Sequence, residues 1–361
     1  MVDSVVRDFR HIDPDTIIAK FARDTFMEER DVSNEFRNLI LAGITLLFVA
    51  GCGSSGGNDG NPNPPVTGEL VTITSDNATT VAGIVAQQVL EDNLFGALTT
   101  TGLPVMSAGS GAAIALSSLS AVPLPADMLA AQSTLQNCAD EGTVDVTVSI
   151  SNPPTISRGD EFAFQFDTCD DGTGTVLHGR LVMTITAFEG DPTGELFLLG
   201  MSMKLSAFQV TQDGNVTSAT GTISVEIDST MPPITTITVS TTALTTTHNG
   251  VTEYMSSMTI TVTTNDGTTP ASVDVDTSFR ISSPRLGGDV IVSTSISMQS
   301  SGEGYPFMGE LVIEAADNTA IVFIALDNNM VRLEIDINGD DVPDEVLDVT
   351  WVDLLAAADA A

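Results

Sequence analysis

The chain has 361 residues, of which 42% are hydrophobic, 17% charged and 5% aromatic. This composition supports a packed core and excludes a chain that is disordered throughout. The formal net charge is −36, and six of the twelve Lys and Arg and nine of the forty-eight Asp and Glu precede Cys52, so the part from Cys52 onward carries −33. Such a charge repels nucleic acid and anionic lipid head groups and favours cations as small partners.

The first distinctive segment is Leu39–Gly51, thirteen residues without a charge. That length is typical of the apolar part of a signal peptide and is too short for a helix that spans a bilayer. The segment ends in Val49-Ala50-Gly51-Cys52. This ending resembles the bacterial lipobox, in which a small residue precedes a cysteine that receives lipid before the signal peptidase cuts. A short buried helix or hairpin is the alternative interpretation.

The resemblance implies that residues 1–51 are an N-terminal extension plus a lipoprotein signal peptide and that Cys52 is the lipidation site. Residues 52–66 are rich in Gly, Ser, Asn and Pro and are expected to form a flexible tether. The chain would then contact the membrane through lipid on Cys52. Gly53, a residue other than Asp after the cysteine, resembles the outer-membrane sorting signal of enteric bacteria, which implies the outer membrane in preference to the inner one. Residues 67–361 would form an acidic, β-rich domain outside the cytoplasm.

The start of this domain predicts one strand and one helix. Glu69–Thr74 has the alternation of a strand, and Ser75, Asp76 or Asn77 can cap a helix that follows. The spacing of Val81, Ile84, Val85, Val89 and Leu90 gives that helix one apolar face. Residues 97–135 are expected to mix loop with one or two short helical turns near Ala126–Leu135.

After Cys138 the apolar residues alternate with polar ones, which predicts half-buried strands. The alternation begins at Val144, Val146 and Val148 and continues to Val331, Leu333 and Ile335, with turn residues such as Asn265-Asp266-Gly267 between the strands. No helical segment interrupts this series. The sequence therefore predicts a mostly β fold, a large curved antiparallel sheet in the form of a sandwich or a partly open barrel, preceded by one short helical segment.

Cys138 and Cys169 are the two cysteines that follow the lipidation site. An even pair in an exported chain is typically oxidised, so we expect a disulfide between them. A role as a reactive thiol is the alternative, but no basic residue lies near either cysteine in the sequence.

The segment Asp336–Asp344 places oxygen-bearing side chains at alternate positions, at Asp336, Asn338 and Asp340, with Asp344 further on. The run resembles the Asp/Asn-rich calcium loops of secreted bacterial proteins, which implies a structural Ca²⁺ held by these four residues. It departs from an EF-hand, because Gly339 is at the fourth loop position and Leu347 is at the twelfth. A polar hairpin turn is the alternative interpretation.

Catalytic motifs are absent from the sequence, and we expect a protein that is not an enzyme. His178 and His248 follow the lipidation site without recognisable partners. The threonines of residues 235–247 fit the solvated face of a strand, with a threonine ladder for surface or glycan contact as the less favoured interpretation.

The chain as a whole resembles lipoproteins of Gram-negative bacteria. We expect a lipid-anchored cell-envelope protein with a structural or interaction role and no nucleic-acid partner. A carrier that holds a lipid or acyl chain on the concave face of a half-barrel is the alternative. An envelope hydrolase is less favoured, and its sign would be a cleft that brings His178 or His248 together with a Ser and an Asp.

Overall fold

The computed structural model describes residues 68–90, 132–151, 157–170, 172, 174–190, 196–212, 214–248, 250–268, 272–300 and 305–360. Within these ranges the chain forms two α-helices, α1 (Ala78–Leu90) and α2 (Trp351–Asp359), and a short 3-10 turn at Ala316–Asn318. The strands are β1 (Gln132–Asn137), β2 (Thr143–Ser149), β3 (Glu161–Asp170), β4 (Thr175–Gly190), β5 (Phe197–Gln212), β6 (Asn215–Met231), β7 (Ile234–His248), β8 (Val251–Asn265), β9 (Ser272–Ser283), β10 (Gly288–Ser300), β11 (Met308–Glu314), β12 (Ala320–Ala325), β13 (Met330–Asp336) and β14 (Glu345–Thr350).

All fourteen strands belong to one open antiparallel sheet, and their order in the sheet is their order in the chain. Each strand therefore pairs with its sequence neighbours through a short connection, as the turn residues between the alternating segments predicted. The expectation of a large antiparallel sheet is confirmed, and the strands form a continuous sheet in place of a two-sheet sandwich. Among the described residues, β1 and β14 pair on one side only.

The two faces of the sheet differ in chemistry because the side chains alternate along every strand. The inner face is apolar and buried from β2 to β13, with fully buried residues such as Phe166, Met183 and Phe323. The outer face of the long central strands carries Ser, Thr and acidic residues, of which Ser224 on β6 and Thr259 on β8 are exposed. The core therefore lies on one side of the sheet, and a polar surface lies on the other.

A row of bulges crosses the sheet at one level. The pairing register shifts at Phe166/Cys169 between β3 and β4, at Leu205/Phe208 between β5 and β6, and at Ser256/Thr259 between β8 and β9. Thr168, Ala207 and Ser257 have positive φ angles of 48°, 46° and 52° at these bulges. A Cβ on Gly179, which has φ +94°, would clash with the carbonyl group of Ala207 on the next strand. Because each bulge bends its strand and increases the local twist, the row bends neighbouring strands at the same level.

The two helices pack against each other, and α1 contacts β12 and β13 while α2 contacts β14. A Cβ on Gly83 of α1 would clash with the carbonyl oxygen of Leu354 on α2 and lie 3.2 Å from the backbone nitrogen of Ala358, so glycine permits this close approach. Thr350 caps α2 by accepting a 3.0 Å hydrogen bond from the backbone N–H of Asp353. Trp351 at the start of α2 is fully buried.

Two local expectations are corrected by the structure, and one element was not predicted. Gln132–Asn137 is a strand paired with β2, whereas the sequence indicated helical turns up to Leu135, because pairing with a neighbouring strand overrides weak local preference. The segment Glu69–Thr74 is not a full strand but makes a single parallel bridge, from Leu70 to Asp289. The helix over Val81–Leu90 is confirmed. The second helix, α2, was missed.

Candidate functional site

A buried polar cluster joins α1 to the sheet at β8 and β9. The carboxylate of Glu253 on β8 is 7% exposed and accepts a hydrogen bond of 2.8 Å from the Ser283 hydroxyl on β9. The side-chain amide of Gln88, near the C-terminal end of α1, donates to the other carboxylate oxygen at 3.2 Å. Because both carboxylate oxygens accept a hydrogen bond, the cost of burying Glu253 is partly offset. The cluster therefore holds the end of α1 to a defined place on the sheet.

Arg285 extends this cluster from the turn between β9 and β10. Its Nη2 donates to Gln87 Oε1 on α1 at 3.0 Å and to the carbonyl oxygen of Ala358 on α2 at 2.5 Å. A cation is favoured at the C-terminal end of a helix, where the last carbonyl groups lack helical partners. This single guanidinium group thus binds both helices to the same turn.

A second charged contact stabilises the beginning of β10. The Arg280 Nη2 lies 2.6 Å from Asp289 Oδ2, and the side chain of Asp289 is only 3% exposed. The backbone of Asp289 also donates to Glu69 O at 3.0 Å and accepts from Val71 N at 2.9 Å. The segment that precedes α1 is therefore attached to the sheet beside this ion pair.

His248 lies at the end of β7 near the buried cluster. Its Nδ1 is 2.9 Å from the hydroxyl oxygen of Thr217 on β6. Burial lowers the pKa of His248 below its ordinary value of 6.5, and the charge of Glu253 opposes this effect only in part. Burial therefore favours the neutral imidazole over the charged form.

The histidines bear on the hydrolase hypothesis, which required a serine beside His178 or His248. The hydroxyl oxygen that contacts His248 is that of Thr217, while the Ser283 hydroxyl donates to Glu253. His178 Nδ1 lies 4.0 Å from Asp167 Oδ1, and these side chains are 53% and 76% exposed. The buried polar cluster around Glu253 therefore connects the helices to the sheet through hydrogen bonds. Its serine, Ser283, donates to the Glu253 carboxylate.

The sequence pattern missed Glu253 because a bulge changes which residues face inward. Counting back by two from the buried Met258 predicts Ser256 and Tyr254 on the inner face. The bulge at Ser257 adds one residue, so Met255 and Glu253 are buried instead. The positive φ of Ser257 gives no warning in the sequence, although Met255 and Met258 lie three residues apart and so break the period of two.

The predicted disulfide between Cys138 and Cys169 is confirmed, with a Cα–Cα distance of 5.4 Å. Cys138 follows β1 and Cys169 lies in β3, so the bond ties the turn between β1 and β2 to the third strand. Backbone hydrogen bonds from Asp140 N to Asp170 O and from Asp170 N to Glu141 O support the same contact. The bridge thus anchors the edge of the sheet.

The segment Asp336–Asp344 forms the hairpin turn between β13 and β14. Asp336 accepts hydrogen bonds from the backbone N–H groups of Asn338, Gly339 and Asp341 at 3.1, 2.7 and 2.8 Å. Burial acts to raise the pKa of Asp336, but these backbone donors outweigh it and hold the pKa below its ordinary value.

The other three residues proposed to bind calcium, Asn338, Asp340 and Asp344, also form hydrogen bonds within this turn. Asn338 Nδ2 donates to Asp344 Oδ1 at 2.9 Å, and the Asp340 carboxylate accepts from Val342 N at 3.0 Å. Within the described ranges, no three His, Cys, Asp or Glu side chains are grouped so that they could hold a metal ion. The hairpin is confirmed, and the calcium site at Asp336, Asn338, Asp340 and Asp344 stays a prediction.

Cys52 and residues 1–66 lie outside the described part of the chain, so the lipidation site stays a prediction. The helices of the described part are too short or too polar to pass through a membrane. The chain matches no protein-family model, no curated protein and no solved structure.

Proposed function

We propose that the chain is a lipid-anchored cell-envelope lipoprotein whose domain has a structural or interaction role through the outer face of its sheet. One observation carries the preference for this role. The apolar inner face is buried, with Phe166, Leu181 and Met203 each at most 1% exposed. The surface offered to a partner is therefore the outer face, where hydroxyl groups and carboxylates predominate.

Export is supported by two separate features of the sequence and the structure. The apolar segment Leu39–Gly51 and the motif that ends at Cys52 resemble a lipoprotein signal. The disulfide Cys138–Cys169 fits an oxidising compartment outside the cytoplasm. A lipid group with two or three acyl chains holds a protein to a membrane firmly, so a spanning segment is unnecessary. The outer membrane is the favoured location.

The anchor is tested by metabolic labelling with radioactive palmitate. The native chain and a Cys138→Ala control, which keeps the motif at Cys52, should both incorporate label and fractionate with membranes. A Cys52→Ala variant should remain unlabelled and unprocessed. Labelling of the Cys52→Ala variant, or a native chain without label, would contradict the proposed anchor.

The second candidate is a carrier for a lipid or an acyl chain. It is favoured by three methionines on the inner face of β4 and β5, Met183, Met201 and Met203, because methionine adapts to flexible apolar ligands. It ranks second because a ligand would have to displace groups that already bury these side chains. Mass spectrometry of lipid that co-purifies with the chain separates the two proposals, since stoichiometric lipid would favour the carrier.

A further inference from the structure

The first strand of the sheet, β1, is an edge that lacks the usual protection against pairing with another strand. Among the described residues, β2 is its one partner in the sheet, and the pairing between them has no bulge. Its six residues include no charged residue and no proline. Natural edge strands are typically protected by charges, proline or bulges. The other edge, β14, follows that rule, since it carries Glu345 and Asp348. The two edges therefore differ, and β1 is the one whose sequence permits a further strand.

The backbone groups on the free side of β1 follow from one hydrogen bond in the turn to β2. Cys138 N donates to Gly142 O at 3.1 Å, and these two residues continue the register of β1 with β2. Hydrogen-bonded and non-hydrogen-bonded pairs alternate along an antiparallel ladder, so every second residue before Cys138 also bonds to β2. The N–H and C=O groups of the residues between them, Ser133, Leu135 and Asn137, point to the free side.

Two side chains of β1 also lack suitable contacts. Leu135 lies on the outer face and is 69% exposed, more than any other leucine of the exposed apolar residues. The Oε1 of Gln136, on the inner face, is buried and accepts no hydrogen bond from the described part of the chain. A buried acceptor without a donor is unfavourable, and native structures seldom leave one. This edge therefore offers an apolar contact on one face and an acceptor on the other.

From this edge we propose that β1 pairs, antiparallel, with β1 of a second copy of the chain. A twofold axis at Leu135 places this residue opposite Leu135 of the second copy, and Ser133 opposite Asn137 of the second copy. The outward N–H and C=O groups of all three residues then have partners across the axis. Such a contact is isologous, because the same residues contribute from both copies.

The edge is complementary to itself in this register, which favours a second copy as its partner. Thr134 lies opposite Gln136 of the second copy, so the threonine hydroxyl can donate to the amide oxygen once the Gln136 side chain turns toward the edge. The two Leu135 side chains remove apolar surface from water. No pair in this register brings two charges together, although each copy carries −33 from Cys52 onward. Pairing through β14 would instead bring together acidic residues, Glu345 and Asp348, of both copies.

The pairing would join the two sheets into one continuous sheet with both outer faces on the same side. It goes beyond the proposed role of the outer face, because it assigns a partner to the edge. The contact is limited to one short strand from each copy, so the interface is small. A test should therefore trap the pair covalently.

The test is disulfide trapping of the full chain by mild oxidation with copper–phenanthroline, followed by a nonreducing gel. Leu135→Cys should form dimers, because the Cα atoms of directly opposite, hydrogen-bonded residues are about 5.5 Å apart, within the reach of a disulfide. Ser133→Cys is the matched control, since Ser133 is exposed on the same face of the same strand. Its Cα would lie about 14 Å from its counterpart, so this variant should stay monomeric.

A mixed experiment tests the register itself. Ser133→Cys and Asn137→Cys chains, expressed together with different tags, should form a mixed dimer that neither forms alone. Adding Leu135→Lys to both chains should abolish the mixed dimer, because two ammonium groups would face each other at the axis. Val346→Lys makes the same kind of change at a 52% exposed position on the outer face of β14, and it should leave the mixed dimer unchanged.

Three results would overturn the proposal. Leu135→Cys chains that remain monomeric would show that β1 is not paired with a second copy, as would be found if another part of the chain covered this edge. Equal dimer formation by Leu135→Cys and Ser133→Cys would indicate random collision. Loss of the mixed dimer with Val346→Lys and its retention with Leu135→Lys would assign the contact to β14. Trapping does not require the lipid, so a trapped dimer in a chain without palmitate label would reject the anchor alone.

Discussion

The Ser283 hydroxyl on β9 donates a 2.8 Å hydrogen bond to the buried carboxylate of Glu253 on β8. The same carboxylate accepts from Gln88 of α1, so one side chain connects two strands and a helix. This contact explains how a glutamate can lie among apolar residues on the inner face. It also makes Glu253 a sensitive point for stability.

Replacing Glu253 with alanine should destabilise the fold by about 2–4 kcal/mol, because the Gln88 amide and the Ser283 hydroxyl lose their buried acceptor. Glu253→Gln should cost less, since the amide keeps one acceptor oxygen. Urea unfolding followed by circular dichroism measures both. The exposed Glu314 provides the control, and its replacement by glutamine should change stability by less than about 0.5 kcal/mol. Equal effects at the two positions would contradict the role of Glu253.

Gly83→Ala should destabilise the helix pair, although alanine is the better helix former. The added Cβ meets the carbonyl oxygen of Leu354, which belongs to backbone and cannot turn away. We expect a net loss of about 1–3 kcal/mol despite a gain of about 1 kcal/mol in helix propensity. Thermal unfolding measures the change. Gly68→Ala is the control, since nothing lies within 4 Å of its Cβ position. A more stable Gly83→Ala variant would show that α1 and α2 are further apart.

Removal of the disulfide should lower the free energy of unfolding by about 3 kcal/mol, because the bond closes a loop across a sequence separation of 31 residues. A Cys138→Ala/Cys169→Ala variant, compared with the native chain by urea unfolding, tests this. Intact mass with and without reductant verifies the bond in the native chain. Two free thiols in the native chain would contradict it.

Acid should weaken the loop at Asp160, which accepts hydrogen bonds from the backbone and hydroxyl groups of both Ser151 and Ser157. Burial acts to raise the pKa of Asp160, but these donors outweigh it, so the pKa lies below the ordinary 3.8. The folded state thus holds its proton less tightly than the unfolded state does. The resulting stability is complete above the ordinary pKa and is lost as the pH falls through the lowered one.

Between pH 5 and pH 3, the native chain should therefore lose more stability than an Asp160→Asn variant, as measured by urea unfolding at each pH. Asp266→Asn removes an exposed carboxyl group from another turn and serves as the control for net charge. Identical pH profiles for the native chain and the Asp160→Asn variant would reject this role.

Calcium titration separates the two interpretations of the turn at Asp336–Asp344. Ligation by Asp336, Asn338, Asp340 and Asp344 predicts a rise in melting temperature with millimolar Ca²⁺, which Asp336→Asn should abolish. A hairpin held by hydrogen bonds alone predicts an unchanged melting temperature and a destabilised Asp336→Asn variant at every calcium concentration. Magnesium at equal concentration controls for ionic strength.

Several parts of this structure were determined by the sequence itself. The alternation from Val144 to Ile335 predicted the strands and the apolar face, because side chains on a strand alternate whatever its neighbours are. The turn residues predicted antiparallel connections, and the helix over Val81–Leu90 followed from its apolar spacing. The disulfide followed from an even pair of cysteines in a chain that the sequence predicts to be exported.

Other features were decided only by the tertiary structure. The strand at Gln132–Asn137 exists because β2 pairs with it, and the helix at Trp351–Asp359 begins where Trp351 enters the core. The buried position of Glu253 depends on the bulge at Ser257, which no local residue preference required. Which backbone groups of β1 point to its free side depends on its register with β2 and on its place at the edge of the sheet. Such features arise from contacts between distant segments, so a pattern that repeats along one strand contains no information about them.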